Sequence, residues 1–276
     1  MYRYVSFILL SGCFVLSAPN LVHAKDKDLQ KFRIAVGGYT LARNESSLSL
    51  TESNFGAGAA IDPETTLGIT TEQTVFKLDG FFRFNRHHAL TYSWYSISSD
   101  GNKTIEEQID WVDENGDPIT IPVGAQVDTV LDYDIFKVGY LWSFYSTDKV
   151  DLSAGVGLHT TRMKVGLQAE TTSSGISAKD VALTVPLPVL SFGIIYRVTP
   201  KFNWYLKSEV FSLKYSDWDG NYVDNTLGME FLVSKNVALG IGLGNNSLKI
   251  SENNADYKFT FENRITGIDL YVATYF

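Results

Sequence analysis

Along most of the chain beyond about residue 30, apolar and polar side chains alternate with a period of two, the signature of strands with two unlike faces. From Val223 to Val233, Leu227, Met229, Phe231 and Val233 alternate with Asp224, Thr226, Gly228 and Glu230. The next segment sets Val237, Leu239, Ile241 and Leu243 against Ala238, Gly240, Gly242 and Gly244. Facing hydrocarbon, the large apolar set is well placed; facing a small lumen, the glycines and charges are. Counting such segments predicts ten strands, with eight or twelve as the alternatives if one has been fused or split.

The same parity runs through the other segments. The first strand starts near Lys31, with Phe32, Ile34 and Val36 opposite Arg33, Gly37 and Tyr39. The second, near 71–84, sets Phe76, Leu78, Phe82 and Phe84 against Lys77, Asp79 and Arg83. The third, 88–98, shows Leu90, Tyr92 and Trp94; the fourth, 127–144, sets Phe136, Val138, Tyr140 and Trp142 against Lys137 and Gly139. The fifth carries Leu152, Ala154, Val156 and Leu158 opposite Asp151, Gly157 and His159, and its phase shifts near Arg162, which predicts a bulge. The sixth, 181–198, contains Pro186 and Pro188, which cannot donate to a ladder and predict irregular pairing. The seventh sets Trp204, Leu206 and Val210 against Tyr205, Lys207 and Glu209. The last sets Ile268, Leu270, Val272, Thr274 and Phe276 against Asp269, Tyr271, Ala273 and Tyr275.

Connections alternate in length. The turns at 85–87, 146–148, 199–201 and 234–236 are short, and long loops are expected at about 44–70 and 100–125. Short turns on one side and long loops on the other are the topology of a membrane barrel with short periplasmic turns. Aromatic residues near the short turns and chain end (Phe32, Phe82, Phe84, Trp142, Phe144, Tyr196, Trp204 and Phe276) are placed as an interface girdle. The competing reading of these rings is ordinary packing inside a soluble sandwich. The fold class expected is all-β: a transmembrane antiparallel up-and-down β-barrel over residues 25–276.

The N-terminus narrows the setting. A basic start, an apolar stretch from Val5 to Leu16, and Val22-His23-Ala24 before the polar Lys25-Asp26-Lys27-Asp28 read as a signal peptide over 1–24, with Lys25 as the first mature residue. Leu10-Ser11-Gly12-Cys13 also matches the lipobox at which lipoproteins are cut and acylated; apolar character continuing through Phe14-Val15-Leu16 favours an ordinary signal core. Cys13 is the one cysteine, so the mature chain would hold no thiol. Beyond the signal no run of about 18 apolar residues could span a bilayer as a helix. The net charge of −8 argues against a nucleic-acid partner.

At the C-terminus the chain resembles bacterial outer-membrane β-barrel proteins, a superfamily of small porin-like and OmpA-like barrels whose final strand ends in Phe with apolar residues at alternate positions before it. Ile268, Leu270, Val272 and Phe276 match; Thr274 stands where a larger apolar or aromatic residue is usual. The resemblance implies residence in the outer membrane among lipid and lipopolysaccharide, insertion by the barrel-assembly machinery, and no particular cargo. A monomer is expected.

Candidate chemistry is sparse. Ten-stranded barrels resemble the omptin proteases, whose Asp pair faces an Asp and His dyad at the rim. Asp132 and Asp134 share a face near the outer end of the fourth strand, but His87 and His88 belong to a predicted periplasmic turn and His159 to the lumen. The outer-membrane phospholipase and deacylase families place His and Ser two apart facing lipid, and no His-x-Ser occurs here. Glu230 or Asp151 is expected to be within reach of His159, as part of a charge network or of a hydrolytic site. Asp113-Glu114-Asn115-Gly116-Asp117 resembles the start of a calcium loop but lacks its downstream bidentate Glu, so a solvated acidic turn is expected and no metal. With Glu106, Glu107 and Asp110 nearby, that loop is a candidate for divalent bridging to lipopolysaccharide.

The inward face is the remaining candidate. Arg33, Lys77, Asp79, Arg83, Lys137, Asp151, Arg197, Lys207, Glu209, Asp224, Glu230 and Asp269 all fall on it, with both signs mixed. Paired, they plug the tube; unpaired around water, they line a narrow pore, and desolvation favours pairing. The functional expectation is a non-enzymatic barrel without cofactor, with a structural, surface or narrow porin-like role. The rivals are an enzyme acting at the rim and a binder using the long loops.

Overall fold

β-Branched and aromatic residues at alternate positions favour an extended chain whose neighbours are other strands, and the computed structural model shows nearly the whole described chain so paired. It describes residues 30–52, 58–61, 64–69, 72–112, 118–170, 175–177, 181–253 and 257–276. The expected signal segment, with Cys13 and Lys25, and the acidic turn 113–117 lie outside these residues.

Among the described residues fourteen strands are seen: β1 (Phe32–Glu52), β2 (Gly58–Ile61), β3 (Gln73–Arg83), β4 (His88–Thr104), β5 (Ile109–Val112), β6 (Pro118–Ile121), β7 (Gln126–Ser146), β8 (Val150–Glu170), β9 (Gly175–Ser177), β10 (Val181–Thr199), β11 (Phe202–Tyr215), β12 (Trp218–Leu232), β13 (Val237–Asn253) and β14 (Tyr257–Tyr275). Ten of them, β1, β3, β4, β7, β8, β10, β11, β12, β13 and β14, pair antiparallel in sequence order, and β14 returns to β1, closing an up-and-down barrel. β2 and β9 lengthen the wall beside β1 and β8, and β5 and β6 form a separate hairpin.

The wall has two levels. On the outer surface of β7, Phe136, Tyr140, Trp142 and Phe144 are exposed, a belt of eight residues' rise or about 26 Å along the strand. Above Phe136 the outward positions become Asp134, Asp132 and Asp128, while Ile135, Tyr133, Leu131 and Val127 turn inward and are buried. β4 changes in the same way, from Leu90 and Trp94 outside to Ser98 and Asp100 outside with Ile97 within. β14 changes from Leu270 and Val272 outside to Glu262 and Arg264 outside with Phe261 and Ile265 within. Below this level the barrel is apolar outside and polar inside, as hydrocarbon demands; above it the arrangement is that of a water-soluble protein.

This inversion corrects two expectations. The phase shift near Arg162 is real in the sequence, but no bulge causes it: Arg162 pairs in unbroken register with Asp134 on β7 and Thr184 on β10. The strand simply leaves the bilayer there, so Arg162 faces water outside and Met163 is buried within. The expected long loops at 44–70 and 100–125 are shorter than read, because β1 runs on to Glu52 and β4 to Thr104 as wall above the membrane. Register shifts occur instead at Leu41/Arg43, Ser143/Tyr145 and Arg197/Thr199.

Pro186 and Pro188 also sit in regular pairing, opposite Thr160 and Leu158 of β8. The reason is which way their nitrogens point. Arg197 donates its N–H to Lys149 on the β8 side at 2.7 Å, so even-numbered residues of β10 point theirs towards β11. Pairing with β11 begins only at Leu190, opposite Val210. At the height of the prolines that edge of β10 has no ladder to lose, a position where proline is tolerated.

Candidate functional site

The upper interior is a single apolar cluster. Leu41 of β1, Ile97 of β4, Leu131 and Ile135 of β7, Leu187 of β10, Ile250 of β13 and Ile265 of β14 meet inside the tube, and Ile105, Ile109 and Ile121 at the base of the β5–β6 hairpin close over them. The contributing strands come from most of the wall, so the cluster lies across the tube above the membrane belt, with Phe211 of β11 packed against it. Burial pushes the Tyr133 phenol, which sits in this upper zone, from about 10 up to about 12, while its hydroxyl shares a hydrogen bond with Ser46 at 3.0 Å.

Beneath the cluster lies a cavity of about 550 Å³ that reaches the short turns at Asn85, Arg86, Thr199 and Pro200. Of the twelve charged residues named from the sequence, all but Asp151 line it. The network they form has three nodes. Arg33 is the first: its guanidinium donates to Asp79 at 2.5 Å and to Glu230 at 3.0 Å, and lies over the ring of Tyr271 at 5.3 Å. Glu230 also accepts from Tyr275, and Tyr271 bridges Glu230 at 3.1 Å and the Tyr205 hydroxyl at 3.2 Å. Lys77 is the second, donating to Asp269 at 2.8 Å with its ammonium 5.0 Å from the Tyr39 ring centre. Lys137 is the third, donating to Glu209 at 3.1 Å and also to Asp224, which the Tyr222 hydroxyl supports at 3.2 Å.

These nodes offset the cost of burial: each carboxylate at them has a cation, without which desolvation would cost several kcal/mol per ion, and Glu230 and Asp224 accept from tyrosine hydroxyls as well, while Asp269 Oδ1 has no further partner among the described residues. Asp151 sits apart near the turns, accepting from Ser146 at 3.1 Å, with Arg197 at 3.9 Å. Arg83 and Lys207 complete the set differently. Their side chains make no hydrogen bond or ion pair among the described residues; Arg83 lies over Phe81 at 4.7 Å and Lys207 over Tyr205 at 5.3 Å.

The tyrosines are the part of this site that the sequence reading passed over as partners. A signal for them exists in the register. Tyr271 pairs across strands with Gly240, and Tyr205 with Gly228. A side chain at either glycine would run into the paired ring, so the absence of a Cβ is what lets each ring lie flat across the inner wall.

His159 lies in the lumen, and Gly157 precedes it by two residues on the same face of β8. Its carboxylate partner is neither Glu230, held by Arg33, nor Asp151, held near the turns. It is Glu209, whose Oε2 is 3.1 Å from His159 Nε2; the His159 ring stands edge-on to Tyr222 at 5.2 Å, and its Nδ1 has no partner. Asp132 and Asp134 point away from the lumen into solvent, where Asp132 accepts from Ser98 at 2.6 Å, so the fold does not bring them together with His159. His87 and His88 are at the first short turn, bound to the Ser143 carbonyl at 2.8 Å and the Tyr140 hydroxyl at 2.5 Å. Glu106 and Glu107 are exposed, and among the described residues no cluster fit to hold a metal ion is found.

At the closing strand, Ile268, Leu270, Val272 and Phe276 all face outward, and Phe276 packs against Phe32 across the β14–β1 seam with ring centres 6.3 Å apart. Phe82 with Phe84, Trp142 with Phe144, and Phe202 with Trp204 continue this aromatic ring along the short turns.

A closed ten-stranded wall with an outward apolar belt, an aromatic girdle at the short turns and a charged lumen is the architecture of a transmembrane β-barrel of the outer-membrane type. The fold is similar to that of the outer membrane protease OmpT from Escherichia coli, with a TM-score of 0.57 and 10% identity over 89% of this chain and 97% of that one. OprG from Pseudomonas aeruginosa matches at a TM-score of 0.35 and 11% identity, over 90% of this chain and 96% of that one. The toluene transporter TodX from P. putida matches at 0.35 and 10%, over 92% and 91%. No family model matches the chain, and no curated protein does.

Proposed function

We propose that this barrel is capped: a non-enzymatic outer-membrane protein that does not conduct, anchored by its lower half and presenting its upper half as a rigid body at the cell surface. The observation that carries this reading is the apolar cluster across the tube above the lumen. A hydrated solute rising from the lumen would have to part Ile97, Leu131 and Ile135, which expose no more than 5% of their surface, and interiors packed at that density do not admit water without local unfolding.

The lower half supplies the anchor, with charge pairs cross-bracing β1, β3 and β12 through Arg33 and β7, β11 and β12 through Lys137. The upper half supplies the surface: Asp128, Asp132, Asp134, Glu262 and Arg264 project from its wall. The test is conductance of the refolded protein in a planar bilayer, with an open porin reconstituted alongside. A silent bilayer with heat-modifiable, folded protein is expected. Discrete steps of reproducible size from the wild-type chain would overturn the reading in favour of a pore.

A further inference from the structure

The cations of the cavity outnumber its acids in a particular way. Seven Lys and Arg side chains and five carboxylates line it. All five carboxylates are taken, two by Arg33, one by Lys77 and two by Lys137. What is left over is positive: Lys207, Arg83 and Arg86 make no ion pair among the described residues, and Arg197, which donates to the Thr147 carbonyl at 3.1 Å, has Asp151 at 3.9 Å outside the cavity lining.

Their placement is graded. Arg86 is in the short turn after β3, Arg83 and Arg197 lie just inside it on β3 and β10, and Lys207 lies deeper on β11, six residues or about 20 Å of strand above Lys201. In front of Lys207 the wall is low: its cross-strand partners are Gly193 and Thr226. A cleft lined by one sign of uncompensated charge between low-dielectric walls concentrates ions of the other sign. Guanidinium groups at the mouth bind planar or tetrahedral oxyanions through paired N–H donors, and an ammonium binds them as a point charge. The volume is that of a pocket for a small metabolite.

We infer that the lumen is a binding site, entered from the periplasmic end, for a small oxyanion carried as a phosphate or carboxylate group, with Lys207 as its deepest contact and Arg83 and Arg197 as its outer ones. The site needs only the four leftover cations and the open lower mouth, so it stands whether or not the cap above it conducts.

The test is isothermal titration of the refolded barrel with inorganic phosphate, and separately with succinate, at constant ionic strength set by sodium chloride. Saturable binding of one anion per barrel is expected, with the anion that binds distinguishing the phosphate from the carboxylate source. Lys207→Gln, which unpairs no carboxylate, should weaken binding at least tenfold, and Lys207→Gln with Arg83→Gln should abolish it while heat-modifiable migration is kept. If Lys207→Gln does not refold, Arg83→Gln alone carries the comparison and should weaken binding several-fold. No saturable uptake of either anion by the wild-type protein, meaning occupancy by water or chloride only, would overturn the inference; so would binding unchanged in both variants.

Discussion

Below Phe136 the inner face of β7 carries Lys137 and Gly139 and its outer face Tyr140 and Trp142; above it the inner face carries Ile135, Tyr133 and Leu131 and the outer face Asp134 and Asp132. One strand, with one unbroken alternation, serves two solvents. In the lower half most large apolar side chains are satisfied by lipid, and cohesion inside the tube comes from charge pairs and tyrosine hydroxyls beside one small apolar cluster of Ala35, Ala238, Ala273, Tyr205 and Tyr271. In the upper half water is outside, so burial does most of the holding, and the outer charges face solvent or make exposed pairs such as Lys249 with Glu262, which add little. The two halves should therefore answer to opposite kinds of substitution.

The largest effect is expected from Arg33→Ala. It leaves Asp79 and Glu230 buried without their cation, a loss of about 4 kcal/mol in unfolding free energy by urea titration in detergent. A loss below about 1 kcal/mol would mean that the lumen is wet enough to dispense with pairing. Ile97→Ala in the cap, at a fully buried site, should cost about 3 kcal/mol by the same titration. Leu270→Arg should cost a comparable amount, about 3 kcal/mol, because Leu270 faces lipid.

Alkaline titration separates the halves more finely. The buried Tyr133 phenol stays protonated to about pH 12 in the folded barrel, whereas in the unfolded chain it ionises near 10. Its contribution is intact below pH 10 and falls away as pH rises from there to 12, a loss of about 2 kcal/mol that Tyr133→Phe should not show in its pH profile. The smallest effect is expected from Asp134→Leu: on the outer wall but above the belt, it should shift stability by less than about 0.5 kcal/mol. A gain in stability as large as the loss from Leu270→Arg would move the membrane boundary above Asp134.

The number of strands, their parity and the short turns could be read from the sequence because lipid imposes a rule that each strand obeys locally: large apolar residues at alternate positions, closed by a turn of three or four residues. The boundary between the two halves was harder to read for the same reason. A change of solvent and a bulge both invert the apolar phase, and at Arg162 only the unbroken register on both sides tells them apart. The inward set of charges follows from parity, but who pairs with whom depends on the shear of the closed barrel, which places Glu209 rather than Glu230 or Asp151 against His159. Likewise Pro186 and Pro188 carry no sign in the sequence that β11 stops pairing below them.

The seam between β1 and β14 has a bearing on how the barrel is built. It joins the two ends of the wall, with Asn44 bonded to Asn263 across 219 residues, and such contacts are the slowest to form because the whole intervening chain must first be ordered. Each earlier hairpin adds its own register to the sum that determines whether the seam meets, Arg33 opposite Tyr275 and Thr40 opposite Ile268. A slip of one residue in any hairpin turns charges such as Lys137 or Asp269 towards lipid and leaves the last strand facing the first out of step. Closure is in this sense a proofreading step: the final pairing tests every previous one, and only a meander without error can complete it.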